Sequence, residues 1–205
     1  LEARHTAPMP GLPPLTSGLV GYLGYDMVRY IEQLPDTCED DLDVPDLVQM
    51  LVDTLAVVDH HEGSIWLIAN AVNWNNSPER VDAAYDDAVA RIEDMLGKLS
   101  GATAGGVHTY DATAEPQVRR QQASEVYRER VLQCQEHIRA GDAFQIVLSQ
   151  RFEIDTDVPA LDIYRMLRRT NPSPYMFLMN IPNEDFTQTA FRIVGSSPES
   201  LVRVQ

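Results

Sequence analysis

The stretch "SGATAGGVHTYDATAEPQVRR", residues 100–120, carries neither a helical nor a strand period, yet both of its flanks read as amphipathic helices. Such a run of glycine, alanine, threonine and polar residues supplies nothing to a core. Any core must therefore be assembled on either side of it. At 205 residues the chain is long enough for one substantial domain or two small ones. The linker favours a division into residues 1–110 and 111–205.

Before the linker, "NNSPERVDAAYDDAVARIEDMLGKLSG" has a helix start, with Ser77 as N-cap and Pro78 at the first helical position, where an N–H is not needed. Val81, Ala84, Tyr85, Ala88, Ile92, Met95, Leu96 and Leu99 form its apolar stripe. After the linker, "ASEVYRERVLQCQEHIRAGD" reads as a helix capped by Ser124 and ended by Gly141. Its inward face is Tyr127, Val131, Cys134 and Ile138. Cys134 is then a small buried hydrophobe. Cys38 sits in a different segment, without metal-ligand spacing, and the expectation is a reduced, cytoplasmic protein.

Residues 1–17 read as a loose, proline-rich start. "SGLVGYLGYDMVRYIEQLP" follows as a strand over 18–24 and a short helix over 26–33. Glycines at 18, 21 and 24 suit a close backbone approach, but the Gly and Lys pattern of a nucleotide fingerprint or P-loop is absent. "QMLVDTLAVVDHHEGSIWLIAN" reads as strands over 48–58 and 64–70 joined by a turn at "HHEG".

In the second half, "GDAFQIVLSQRF" reads as a largely buried strand over 143–152. Alternation puts Phe144, Ile146, Leu148 and Phe152 on one face, and Gln145, Val147, Ser149 and Arg151 on the other. Two readings of that second face stay open: a solvated sheet surface, or the wall of a polar substrate groove. Asp157 caps a third helix begun by Pro159. Strands over 175–180 and 190–194, the turn "GSSPES" and a last strand begun at Leu201 complete the chain. A sheet that stops there has lost pairing and cover, as in a fragment of a larger protein.

A formal charge of −15, from 31 acidic and 16 basic residues, argues against a nucleic-acid binder, which needs a basic stripe. A few arginines could still make a local pocket for an anionic small molecule. No run of 18 apolar residues is long enough to cross a membrane, and the start lacks the apolar core of a signal peptide. His60 and His61 fall in a turn, with no serine or cysteine partner at a recognisable spacing. The acidic run 39–43 alternates direction in a loop and makes a poor cation site.

Two short stretches are better candidates for chemistry. "NPSPYMFLMN", 171–180, is a rigid helix-to-strand corner in which an aromatic and a thioether beside proline could equally form an apolar slot for a flat ligand. In "GSSPES", Pro198 holds Glu199 after a small-residue turn. Glu199 is either a solvated turn carboxylate or an acid poised against a substrate.

"GLVGYLGYDMVRYIE", "GDAFQIVLSQRF", "NPSPYMFLM" and "IVGSSPESLV" occur in the order and approximate spacing found in the anthranilate synthase component I branch of the chorismate-utilising enzymes. The chain resembles the middle of such a protein. That resemblance implies a mixed α/β (α+β) architecture: antiparallel, two-layered sheets with flanking helices. It makes 1–110 a partial N-terminal, regulatory lobe and 111–205 the start of the chorismate-binding lobe.

It also implies site residues. Relatives that add water to chorismate carry a lysine base where this chain has Gln145, and a neutral amide cannot deprotonate water. Gln145 therefore resembles the ammonia-using branch. Glu199 resembles the family's acid beside the C4 hydroxyl of chorismate. Asn171, Pro174, Tyr175 and Met176 resemble part of a tryptophan feedback site. The Mg2+ ligands are implied to lie beyond Gln205. No "GxCxG" nucleophile motif is present, so ammonia from glutamine would come from a separate glutamine amidotransferase subunit. Alternatives are aminodeoxychorismate synthase component I, or a non-catalytic tryptophan-binding fragment.

Overall fold

Every ladder among the described residues is an antiparallel pair of strands, and each pair stands as its own two-stranded sheet. The computed structural model describes residues 9–102, 113 and 115–203. Most of the linker, the first eight residues and the last two lie outside them. The chain divides into two units, residues 1–105 and 106–205.

In the first unit, β1 (Gly18–Leu23) leads into a short 3₁₀ turn (Tyr25–Tyr30) and then pairs with β2 (Leu47–Val52). Gly21 is needed there. A Cβ on it would lie 1.8 Å from the Val48 carbonyl oxygen, so the strands approach closer than any other residue allows. β3 (Thr54–Asp59) and β4 (Ser64–Ala69) form a hairpin. Its turn is closed by the Asp59 carboxylate, which accepts the N–H groups of His61 and Glu62 at 2.8 and 3.1 Å, and by Gly63 at φ +67°.

The expected single strand 48–58 is thus two strands with different partners, divided at Asp53. The reason is local and polar. The Asp53 carbonyl accepts both the backbone and side-chain N–H groups of Asn70, at 2.7 and 3.1 Å. Its carboxylate meets Arg91 Nη1 at 3.1 Å. Arg91 belongs to α1 (Val81–Ser100), which follows a single 3₁₀ turn, Pro78–Arg80, and packs on β4. The same guanidinium donates to Thr54 Oγ1 at 2.5 Å and to the Asn70 carbonyl at 2.9 Å. Ala84, Ala88, Ile92 and Met95 face inward, as the stripe requires, whereas Val81, Tyr85, Leu96 and Leu99 are exposed. Ser77 precedes Pro78 as expected, but its hydroxyl bonds the Glu79 carboxylate rather than a helix N–H.

In the second unit, β5 (Val118–Arg120) pairs with β6 (Phe152–Ile154) on either side of α2 (Ser124–Ala140). Ser124 is the first helical residue rather than the cap. Gly141 ends α2 in the left-handed region at φ 86°, its N–H bonding Ile138 and that of Asp142 bonding His137. Tyr127, Val131 and Cys134 are half-buried, and Ile138 is exposed. α3 (Ala160–Thr170) packs against the hairpin of β7 (Tyr175–Pro182) and β8 (Thr189–Ser197). Pro159, not Asp157, stands at its cap. Leu201–Arg203 form no strand.

Among the described residues, only Ala88 and Ile181 are buried hydrophobic side chains. Leu23 and Val58 on strands and Tyr85 and Leu96 on α1 are exposed in the first unit, and Leu132 on α2 and Phe177 on β7 in the second, so each unit leaves apolar sheet and helix faces open.

Candidate functional site

The hairpin of β7 and β8 brings the two candidate stretches to one end. Register sets Tyr175 opposite Ser197, Met176 opposite Ser196 and Phe177 opposite Gly195. Glu199 thus lies two residues past the point where β8 meets the start of β7. Opposed residues share a face, so Tyr175 and Met176 project to opposite sides of the hairpin, Met176 half-buried and Tyr175 exposed. Phe177 covers Gly195 so closely that a Cβ there would lie 2.1 Å from its ring.

The corner itself is held by hydrogen bonds. Asn171 ends α3, donating its N–H to the Leu167 carbonyl at 2.8 Å. Its own carbonyl accepts the Ser196 hydroxyl at 2.7 Å. Ser196 Oγ also lies 2.9 Å from Ser173 Oγ, whose O–H can donate back. One turn further on, Ser197 Oγ donates to the Glu199 carbonyl at 3.0 Å. The Glu199 side chain is exposed, and among the described residues no hydrogen bond or ion pair reaches its carboxylate. Ser173 and Ser196 join the site although sequence reading passed over them as small turn residues. Their only signal was position, each within three residues of a candidate.

Gln145 stands apart. The expected strand over 143–152 is regular only at Phe152–Ile154; residues 145–150 have no strand partner among the described residues. A strand exists only through a neighbour's backbone, and β5 reaches no further than Phe152. Phe144 and Phe152 are exposed instead of buried, as are Gln145 and Val147. Gln150 and Arg151 mark where the segment rejoins the fold. Gln150 donates to the Gln122 carbonyl at 3.1 Å, and the Arg151 carbonyl accepts from Gln121 at 3.2 Å. Among the described residues no hydrogen bond joins Gln145 to Glu199 or to the corner.

Across the β5–β6 pair, Arg119 grips both Glu153 and Asp155, and its guanidinium holds the Asp155 carboxyl below the usual carboxylate range. Among the described residues no three His, Cys, Asp or Glu side chains gather where a metal ion could be held.

The whole chain, residues 1–205, matches the family described as chorismate binding enzyme. The chain belongs to the chorismate-binding enzyme family. It is 54% identical over 205 residues to "Anthranilate synthase component 1" of Mycolicibacterium smegmatis, covering 100% of this chain and 39% of that relative. The protein of the same name from Arthrobacter globiformis is 44% identical over 207 residues, with 100% and 39% covered. The crystal structure of anthranilate synthase component I from Streptococcus pneumoniae TIGR4 superposes with a TM-score of 0.75 at 29% identity, covering 100% of this chain and 43% of that one. The mixed helix and antiparallel-strand fold is thus that of chorismate-binding enzymes. This member spans about two fifths of the length of the relatives it matches. No helix among the described residues is long and apolar enough to cross a membrane.

Proposed function

We propose that this chain is part of an anthranilate synthase large subunit, which takes chorismate and ammonia to anthranilate, pyruvate and water in tryptophan biosynthesis. The observation that carries the reading is the 54% identity to an anthranilate synthase component 1 across all 205 residues. Gln145 supports the ammonia branch, since ammonia is already a nucleophile and needs no lysine base.

In this reading the 111–205 lobe begins the chorismate site. Glu199, projecting from the end of β8, donates a proton to the C4 hydroxyl as it leaves as water, while ammonia adds at C2. The neutral Gln145 amide faces the path of the incoming ammonia, which a glutamine amidotransferase subunit supplies. Asn171, Pro174, Tyr175 and Met176 contribute to a tryptophan feedback site, and the 1–110 lobe is regulatory. Mg2+, which would neutralise a substrate carboxylate, takes its ligands from outside this chain. The setting is cytoplasmic.

A chimera tests the reading: this 205-residue segment replaces the matching stretch of the mycobacterial relative, and products from chorismate, Mg2+ and ammonium are separated by chromatography. Anthranilate is expected. A chimera that is folded but yields only an aminated chorismate, with pyruvate unreleased, would contradict it.

A further inference from the structure

A general acid works only if it is held in place, to within about 0.5 Å of the productive position. Glu199 has no side-chain partner that could do this among the described residues, so its placement comes from the backbone of its turn. Beyond the β7–β8 ladder, which ends where Tyr175 faces Ser197, that backbone is anchored at three points: the Pro198 ring, the Ser197 hydroxyl on the Glu199 carbonyl, and the Ser196 hydroxyl on the Asn171 carbonyl. The first two are local and move with the turn. Of these three, Ser196 alone reaches outside it, to a residue itself fixed to the last turn of α3.

We infer that Ser196 is a positioning residue for Glu199, its hydroxyl tying the start of the acid's turn to the corner at Asn171 and Ser173. This rests on the reading of Glu199 as the acid. Any small residue could sit opposite Met176 in the ladder, so the hydroxyl, not the size, is what the link requires. Removing it leaves the Asn171 carbonyl without that donor and leaves only the end of the ladder to hold the start of the turn. A displacement near 1 Å can slow a reaction by about a hundredfold without changing what binds.

The test is a double-mutant cycle in the chimera, with Ser196→Ala, Glu199→Gln and both together. Ser196→Ala is expected to lower kcat by about tenfold or more with KM moved less than about threefold, and Ser196→Thr to restore most of the rate. In the Glu199→Gln background Ser196→Ala should cost nothing further, because it acts only through that carboxylate. A kcat for Ser196→Ala within about twofold of the parent, while Glu199→Gln is slow, overturns the inference alone. So do losses that multiply in the double variant. A Glu199→Gln variant at parental rate overturns the acid assignment and the inference with it. Circular dichroism and melting check each variant. If Ser196→Ala does not fold, Ser173→Ala weakens the same link from the α3–β7 corner, and its cycle with Glu199→Gln decides in the same way.

Discussion

Replacing Gly21 by alanine puts a Cβ 1.8 Å from the Val48 carbonyl oxygen, 2.8 Å from its carbon and 3.0 Å from the Gln49 Cα. All three are backbone atoms, so no side chain can swing away. Ordinary contact begins at 3.4 Å, and the strands must part by 3.4 − 1.8, about 1.6 Å. Ladder bonds near 2.9 Å would open well past 3.5 Å on either side of the residue. Losing two such bonds at about 1 kcal/mol each, with some strand packing, gives a destabilisation of about 2–4 kcal/mol. The assay is urea unfolding followed by tryptophan fluorescence. Both tryptophans, Trp66 and Trp74, lie in the first unit, so the signal reports on that unit alone. Gly97→Ala is the control of opposite sign. It lies inside α1 with open space around it and should stabilise by about 0.5–1 kcal/mol. A Gly21→Ala variant within about 0.5 kcal/mol of the parent would refute the close pairing of β1 and β2.

Other expectations concern the second unit. In the chimera, Met176→Thr should raise the tryptophan concentration for half-inhibition about tenfold, because about 60 Å² of lost apolar contact at ~25 cal/mol per Å² is worth one decade; an unmoved midpoint returns Met176 to packing. Gln145→Lys should slow anthranilate formation, since a cation would then face the ammonia path, and unchanged turnover would show that Gln145 faces elsewhere. Arg119 lowers the folded-state pKa of Asp155, so this pair's contribution is present above the unfolded carboxylate pKa and is lost as pH falls through the lowered folded value. Acid titration followed by NMR should show the Asp155 carboxyl titrating below an ordinary aspartate, and Arg119→Ala should return it upward.

Much of the architecture was legible because it is local. The glycine that ends α2 and the turn at "HHEG" each follow from residues within a few positions of one another and stand where the pattern puts them, and α1 forms where its stripe predicts, though only Ala84, Ala88, Ile92 and Met95 of that stripe face inward. What was not legible depends on distant partners. The break at Asp53 is made by Asn70 and Arg91, 17 and 38 positions on, and alternation through "LVDTLAVV" hides it. "AFQIVLSQ" has a strand's composition, but among the described residues no strand pairs with it, so Phe144, Ile146 and Val147 stand exposed. Asn171, Met176 and Glu199 were singled out separately from their motifs. The β7–β8 register that sets their turns side by side, and the Ser196 hydroxyl between them, needed the structure.

The most direct test of the central claim is the steady-state rate of anthranilate formation by the chimera and its Glu199→Gln variant, with chorismate, Mg2+ and ammonium saturating. Glutamine keeps the shape of the side chain and removes its transferable proton. The account predicts a fall in kcat of about 10²–10⁴ with little change in KM. A variant that keeps more than about a third of the parental rate would contradict it, and would leave Glu199 a solvated carboxylate on a turn.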